Sequence, residues 1–313
     1  MVALLVGSAV VGIGLYLHSV ESGIDRVDAF TDVPTESRPS KTVQDATNLL
    51  VLGSDSRDPN DLSGSRTDTI ILAHLPKDRS SAQLISIPRD TWLHIPLAKD
   101  GRHGNQDAKI NAAFAFGGVP LMVQTVEAFT GVRIDHVVLV DFAGFKDIID
   151  ALGGVDIVVD QSFTSHTSLL PGHVREFTKG KQHMDGAAAL DYARERKSFR
   201  DGDFTRIKHQ QQMIKAVLDT AASAGLLTNP PRLNAFIQAT AHAVTVDKTL
   251  SVFDMSMDLR HLRGGNLAFF TSPSKGTGSV GTESVVFADT DRAKIFYDAV
   301  RRDDVAAFLN LAK

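Results

Sequence analysis

Short apolar runs alternate with helix-like segments along most of this chain, and that alternation restricts the fold more than any other feature. Asn48–Gly53, Thr67–Leu75 and Ala82–Ile87 have the length and composition of buried strands. Only Pro76–Ser81 separates the last two runs, so we expect these strands to pair antiparallel.

Helical signals follow these strands. Pro120–Thr130 predicts a helix with proline in its first turn, and Gly131 stands just past its end. Phe142–Leu152 has helical spacing, and it lies between the strand-like runs His136–Val140 and Val155–Val159. Strands that alternate with helices predict an α/β fold, a three-layer α-β-α domain with a central mixed sheet.

Composition narrows the class of protein. Of the 313 residues, 43% are hydrophobic and 22% are charged, and the formal net charge is −4. This balance favours a globular domain and argues against a nucleic-acid binder that acts through net positive charge. The absence of cysteine excludes disulfides and thiolate metal sites. The sequence contains no linker beyond the polar segment below, so we expect one large domain over residues 47–313.

The first segment of the chain is apolar. Val2–Leu17 carries no charge, and a helix of this length reaches about 24 Å, against about 30 Å for a hydrocarbon core. We expect residues 1–20 to be a single-pass membrane anchor with the domain outside the cytoplasm. A signal peptide and a buried helix remain alternatives. Residues 21–46 are polar and predict a solvated stalk.

Charged residues gather where the predicted strands end. The segments Gly53–Arg57, Arg66–Thr69 and Ser86–Asp90 stand at the ends of three strands. Side chains alternate along a strand, so Arg66 and Asp68 face the same way. We expect the three segments to converge on one edge of the sheet, where open α/β sheets place ligands.

A second charged cluster lies in the later helices. Arg194 and Arg196 are two residues apart, so they converge only if their helix ends between them. Asp203 is expected to cap the next helix, on which Arg206 and Gln210 share a face. A cation in the first turn opposes the helix dipole, so the position of Arg206 favours a bound anion.

These residue types suggest a metal and a pyrophosphate. Asp55 and Asp68 are candidate ligands for Mg²⁺ or another divalent cation, because hard cations prefer carboxylate oxygens. Guanidinium groups bind phosphate oxygens through paired hydrogen bonds. The candidate guanidiniums are Arg57, Arg66, Arg89, Arg194, Arg196 and Arg206. Salt bridges that only hold loops together remain the alternative for each of them.

Seven ordered motifs between residues 47 and 220 add a resemblance. They are LLVLGSDSR (Leu49–Arg57), RTDTIIL (Arg66–Leu72), SIPRDTWLHIP (Ser86–Pro96), KINAAFAFGG (Lys109–Gly118), DALGGVDIVV (Asp150–Val159), MDGAAALDYARER (Met184–Arg196) and GDFTRIKHQQQ (Gly202–Gln212). With these motifs the chain resembles the LytR-CpsA-Psr family of membrane-anchored cell-wall phosphotransferases. One departure is His209, where the family often has arginine. A second is the lack of basic residues before the apolar segment.

The resemblance implies a function. Family members transfer a glycopolymer from an undecaprenyl-pyrophosphate carrier to peptidoglycan and release undecaprenyl phosphate. It implies that Asp55 and Asp68 hold Mg²⁺. It implies pyrophosphate contacts from Arg57, Arg66, Arg89, Lys109, Arg194, Arg196, Arg206 and Gln210. The expected catalytic residues are Arg89, Asp90, Arg194 and Arg196, with Asp90 as a candidate base.

Other functions and details stay open at this stage. One alternative is a polyprenyl-pyrophosphate pyrophosphatase, and another is a non-catalytic regulator that binds lipid phosphate. The motifs do not identify the glycopolymer, whether teichoic acid, capsule or an arabinogalactan-like polymer, nor its acceptor. Trp92 is expected to pack in the core, and Gly276–Gly281, although it matches GxGxxG, is expected to be a loop because no helix follows it. Apolar residues available for a lipid groove, each more typical of core, are Phe114, Phe116, Phe129, Val138 and Phe142.

Overall fold

A computed structural model describes residues 21, 23–54, 67–166, 174–259 and 262–305. Its strands are β1 (Asp25–Val27), β2 (Thr47–Ser54), β3 (Thr67–Leu75), β4 (Ala82–Ser86), β5 (Thr91–Ile95), β6 (Gln106–Lys109), β7 (His136–Asp141), β8 (Val155–Val159), β9 (Phe163–Ser165), β10 (Arg175–Phe177), β11 (Gly180–Met184), β12 (Val244–Asp247), β13 (Leu267–Thr271), β14 (Ser274–Val280) and β15 (Glu283–Ala288). Its α-helices are α1 (Ala112–Thr130), α2 (Phe142–Ala151), α3 (Gly186–Arg194), α4 (Gly202–Ala221), α5 (Ala224–Leu227), α6 (Pro230–Ala243), α7 (Val252–Leu259) and α8 (Thr290–Arg301).

The central sheet is mixed, as the sequence predicts. Its seven strands follow the order β1-β12-β7-β2-β3-β4-β13. The strands β2, β3 and β4 form an antiparallel meander, whereas β2 pairs with β7 in parallel. The predicted antiparallel pairing across Pro76–Ser81 is therefore confirmed.

Helices cover both faces of this sheet. Leu50 and Leu52 of β2 enter the main hydrophobic cluster together with residues of α1 and α8. Leu49 and Val51, whose side chains alternate with them, belong to a cluster on the opposite face with part of α7. Residues of α2, α3 and α4 form a further cluster with β8. The result is three layers around one sheet.

The predicted helix at Pro120 is confirmed, with one addition. α1 begins earlier, at Ala112, and its backbone leaves helical geometry at Gly117 and Gly118 before resuming at Pro120. Gly118 has φ of 64° and ψ of −153°, a conformation that only glycine adopts readily. Among the described residues, α1 is also the one helix long and apolar enough to span a membrane, and its buried side chains pack in the main cluster.

Two expectations differ from the structure. Asp25–Val27 pairs with β12 as an edge strand, and Ile24 and Val33 are buried, so part of the expected stalk packs on the domain. Gly276–Gly281 is not a loop, since β14 takes up most of it and pairs with β15. These two strands join β5 and β6 in a separate four-stranded sheet of order β14-β15-β5-β6.

Candidate functional site

Several strand ends meet at one edge of the central sheet. β2 ends at Ser54, which lies opposite Thr67 at the start of β3 and beside Asp141 at the end of β7. Because β4 runs antiparallel to β3, Arg89 and Asp90 follow at the same edge. The predicted convergence of the second and third polar segments is confirmed. Asp55, Arg57 and Arg66 lie outside the described residues, so their roles stay predictions.

Arg89 and Asp90 take part in a chain of opposite charges. Arg89 donates from its Nη1 to Asp68 Oδ1, and its Nε lies 3.8 Å from Asp90 Oδ2. Asp90 Oδ1 lies 3.7 Å from the Nζ of Lys109, which in turn lies 3.3 Å from Glu283 Oε2. Burial acts against the charge of Arg89, but Asp68 and Asp90 outweigh it and raise the pKa of the guanidinium.

Asp203 faces Arg206 and does not cap its helix, which corrects the sequence expectation. α4 begins at Gly202, with Asp201 before it, so Asp203 lies inside the first turn. Its Oδ1 lies 2.5 Å from Arg206 Nη2. Both side chains are largely removed from solvent, with exposed fractions of 10% and 4%.

Unsatisfied polar atoms concentrate at this place. Six buried side-chain atoms of the described residues make no hydrogen bond of regular geometry, even where an ion pair is close, and one of them belongs to Gln83. The other five are Thr67 Oγ1, Arg89 Nε, Arg206 Nε and both carboxylate oxygens of Asp203. Buried polar groups are nearly always satisfied in native proteins, so such a concentration indicates a site built for a charged ligand.

Electrostatic interactions join these groups to Arg196. Burial raises the pKa of Asp203, Asp90 raises it further, and Arg206 and Arg89 act in the opposite direction. Burial lowers the pKa of Arg206, Asp203 opposes that shift, and Arg89 and Arg196 strengthen it. We call the following residues the acid–arginine cluster: Asp68, Arg89, Asp90, Arg196, Asp203 and Arg206.

The turn between Arg194 and Arg196 depends on Glu195. α3 ends at Arg194, and Glu195 is extended, so the predicted helix end is confirmed. The buried Glu195 carboxylate accepts from the backbone N–H of His166 at 2.7 Å and of Ser198 at 3.1 Å. Burial acts against its charge, but these hydrogen bonds prevail and lower its pKa. Glu195 therefore fixes the directions in which the two arginines leave the helix.

An apolar cavity of about 140 Å³ opens beside Arg194. Its walls come from β2, β3, β7, α2, α3 and α4, and include Ile71, Phe142 and Ile214. The guanidinium of Arg194 lies over the ring of Phe142, 4.7 Å from its centroid, and Gln210 also lines the cavity. An apolar chamber with a cation at its wall suits a ligand that has a hydrophobic tail and an anionic head.

Only one of the apolar residues considered for a lipid groove lines this cavity. Phe142 lies on its wall. Phe114, Phe116 and Phe129 belong to or pack against the main core cluster. Val138 packs against the clusters on the other face of the sheet.

The family follows from comparison with known proteins. A sequence model of the LytR_cpsA_psr family matches residues 16–301. The chain belongs to the LytR-CpsA-Psr family.

Related proteins support this assignment. Over 233 residues the chain is 36% identical to the polyisoprenyl-teichoic acid–peptidoglycan teichoic acid transferase TagU of Bacillus mycoides, covering 72% of this chain and 71% of TagU. Over 290 residues it is 30% identical to the cell wall biosynthesis protein LcpA of Corynebacterium glutamicum, covering 80% of this chain. The match spans only 55% of the length of LcpA.

Solved structures match the fold. The crystal structure of B. subtilis TagV gives a TM-score of 0.68 at 26% identity, over 84% of this chain and 98% of TagV. A LytR-Csp2A-Psr enzyme from Actinomyces oris gives a TM-score of 0.63 at 20% identity, over 91% of this chain and 95% of that enzyme. The mixed α/β architecture is therefore that of the LytR-CpsA-Psr family.

His209 stands where the sequence resemblance leads us to expect arginine, and its surroundings are apolar. Its ring stacks on Tyr192 with centroids 4.0 Å apart, and on Phe163 at 5.5 Å. Its Nδ1–H donates to the carbonyl of Tyr192 at 3.1 Å. Burial lowers the pKa of His209 to about 4, so the ring is neutral at pH 7 and adds no charge to the site.

This burial predicts a pH dependence of stability. Between about pH 4 and the unfolded value near 6.5, the unfolded chain binds more protons at His209 than the folded chain does. The free energy of unfolding therefore rises with pH across this window, by at most about 1.4 kcal/mol per pH unit, and levels off above it. His209→Phe, which keeps an aromatic ring in the stack, is expected to remove this contribution in urea titrations. His94→Phe, at an exposed histidine, should keep the wild-type dependence of the unfolding free energy on pH. The same dependence in the His209→Phe and His94→Phe variants would show that buried His209 is not its source.

Sequence reasoning missed three contributors to the site. Asp203 stands three residues before Arg206, a spacing that allows an ion pair, but its capping propensity gave the more obvious interpretation. Glu195 carries no special sequence signal between its arginines. Glu283 is about 170 residues from Lys109 in sequence, and only the pairing of β15 with β5 brings it near.

Proposed function

We propose that this protein transfers a glycopolymer from a polyprenyl-pyrophosphate carrier to a hydroxyl of peptidoglycan and releases polyprenyl phosphate. The observation that carries the proposal is the position of Arg194, which lines the apolar cavity while Arg196, two residues on, belongs to the acid–arginine cluster. A carrier of this type has an apolar tail and a doubly anionic head, and the two parts suit these two environments. The TagU relative is named as a polyisoprenyl-teichoic acid–peptidoglycan teichoic acid transferase, which is a transfer of the same kind.

The donor set suits a hard divalent cation such as Mg²⁺. The two oxygens of Asp203 make no hydrogen bond of regular geometry within the described residues, although Oδ1 lies 2.5 Å from Arg206 Nη2, and an ionised carboxylate can only accept hydrogen bonds or bind a cation. No group of three or more acidic, histidine or cysteine side chains within the described part of the chain forms a metal site by itself. Asp68 and Asp203, with Asp55 as the sequence predicts, are the residues that would hold the ion. When bound, it supplies positive charge to neutralise the pyrophosphate oxygens.

The chemical step is a displacement at phosphorus. The acceptor hydroxyl attacks the phosphorus attached to the glycan, and the bond from this phosphorus to the bridging oxygen breaks. A phosphodiester forms between glycan and acceptor, and polyprenyl phosphate leaves with the bridging oxygen. Arg89, Arg194 and Arg196 stabilise the charge that develops on the phosphate oxygens.

The proton of the acceptor hydroxyl needs a base. Asp90 is our candidate, because its carboxylate follows the strand end that carries Arg89 and lies 3.7 Å from Lys109 Nζ. Lys109 and Arg89 hold this carboxylate from two sides. Arg206 acts mainly through Asp203, since its side chain is only 4% exposed.

We further propose that residues 1–20, which lie outside the described residues, anchor the chain in the membrane with the domain on the outer side. Glu21, directly after them, lines a second apolar cavity of about 350 Å³ together with Phe253 and Leu259 of α7. Both side chains are exposed, at 49% and 37%. An apolar surface beside the end of an apolar segment is suited to lie against lipid.

A product analysis separates transfer from the two alternatives. Full-length protein in detergent is incubated with a radiolabelled lipid-linked glycan and Mg²⁺, with and without peptidoglycan. We expect label on peptidoglycan and polyprenyl phosphate release only when the acceptor is present. Release of free glycan phosphate without acceptor would indicate a pyrophosphatase. Binding of the lipid without any product would indicate a regulator and overturn the proposal.

A further inference from the structure

One face of the four-stranded sheet lies next to the acid–arginine cluster and carries aromatic side chains. Along β5, Leu93 packs against the main core and Ile95 is buried within it. Strand alternation therefore directs Trp92 and His94 to the opposite face. Trp92 is half-buried and belongs to no core cluster of the described residues.

Strand register aligns three side chains in a row on this face. Phe287 of β15 is the partner of Trp92 on one side, and Lys109 of β6 is its partner on the other. Phe287 is 38% exposed, so its ring is accessible from solvent. We call Phe287, Trp92 and Lys109 the aromatic row.

The neighbouring strand β14 places two glycines beside Phe287. Gly276 lies opposite Phe287, and Gly278 lies close to its ring. A Cβ atom at Gly278 would come within 2.6 Å of Cε2 of that ring. Glycine at this position therefore lets the ring of Phe287 lie directly against the backbone of β14.

Polar groups border the aromatic row and connect it to the site. Lys109 Nζ lies 3.7 Å from Asp90 and 3.3 Å from Glu283. His94 Nδ1 lies 3.1 Å from Asp107 Oδ1 on the same face. The row therefore runs from an exposed aromatic ring to the carboxylate that we propose as the base.

We propose that the aromatic row is a saccharide-binding subsite that holds the acceptor glycan. The C–H faces of sugar rings pack against flat aromatic side chains, while their hydroxyls take hydrogen bonds from a charged rim. A glycan seated on Trp92 and extending toward Lys109 brings its hydroxyl to Asp90. This inference rests on the proposed function, and it assigns to the acceptor a place separate from the donor cavity beside Arg194.

The chain offers a direct reporter of this binding, because Trp92 is its single tryptophan. The experiment titrates the full-length protein in detergent with chitotetraose, a soluble chain of N-acetylglucosamine, without donor. We expect a saturable change in tryptophan emission. Arg194→Ala removes a proposed contact with the lipid-linked donor substrate, so it should give the same dissociation constant for chitotetraose as the wild type.

Variants test whether the row itself binds the sugar. Phe287→Ala should raise the dissociation constant by about tenfold, the upper range for one aromatic contact, and Phe287→Tyr should restore it. Ile295→Ala, at an equally prominent apolar side chain that is 60% exposed on α8, should leave the constant unchanged. Trp92→Ala should raise the acceptor KM in the transfer assay by a similar factor without changing the KM of the donor.

The outcomes separate this inference from the proposed function. No change of emission at saturating sugar, or equal constants for Phe287→Ala and Ile295→Ala, would overturn the subsite even if transfer proceeds. Sugar binding that depends on Phe287 in a protein without transfer activity would support the subsite and count against the proposed function.

Discussion

Replacing Arg194 with alanine is expected to lower kcat/KM for glycopolymer transfer by about 10²- to 10³-fold, the effect of removing one preorganised donor from a charged transition state. Arg194 lies at the wall of the apolar cavity and directly precedes the turn to Arg196. In the proposed function it is therefore the cation best placed where the lipid tail would meet the pyrophosphate. The measurement is the initial rate of label transfer to peptidoglycan at several donor concentrations.

Arg200→Ala is the matched control for this experiment. Arg200 is exposed, follows the same turn, and loses the same charge on substitution. We expect wild-type transfer from this variant and unchanged thermal unfolding from both. If Arg194→Ala were as active as Arg200→Ala, neither the assigned pyrophosphate contact nor the proposed head-group position would hold.

Filling the apolar cavity is expected to remove the preference for a long lipid tail. Ile214 lines the cavity from α4, and a tryptophan there would occupy much of its roughly 140 Å³. Each buried CH₂ group of a bound tail contributes about 0.8 kcal/mol, so the wild type should prefer an undecaprenyl donor over a geranyl donor. In Ile214→Trp we expect the ratio of kcat/KM for the two donors to fall by about tenfold or more, the effect of losing about two such groups.

A second tryptophan at an exposed isoleucine controls for the substitution itself. Ile295 on α8 is 60% exposed, so Ile295→Trp should keep the wild-type donor ratio. A wild-type ratio in Ile214→Trp would mean that the tail binds elsewhere. A loss of activity that affects both donors equally would also contradict the assignment, because it would point to general damage to the fold.

The meander of β2, β3 and β4 could be predicted because its signals are local. The link Pro76–Ser81 is too short for any pairing except an antiparallel one, and this fixes which strand ends share an edge. The position of Arg89 near Asp68 follows from that register alone. The helix end at Arg194 was likewise predictable, because residues two apart on a straight helix point nearly opposite ways and Arg194 and Arg196 can converge only if the helix stops between them.

The contacts of these residues with distant parts of the chain could not be predicted from the local sequence. Asp203 has the local propensity of a helix cap, but burial beside Arg206, Asp90 and Arg89 decides its actual environment. The edge strand Asp25–Val27 was missed because its pairing partner, β12, lies more than 200 residues away. A short polar strand shows little hydrophobic periodicity. Pairing with a distant strand leaves no further signal in the local sequence.

By itself the sequence determined the family, the strand meander and the set of charged side chains at one sheet edge. Those features depend on neighbours in the chain, on alternation along strands and on helical spacing. Only the tertiary structure decided which charges are buried together, where the apolar cavity lies beside Arg194, and that Trp92 faces outward with Phe287 and Lys109. The physical reason is that burial and strand-to-strand register arise from contacts between segments far apart in sequence, and these contacts set the pKa of Asp203, the neutrality of His209 and the exposure of the aromatic row.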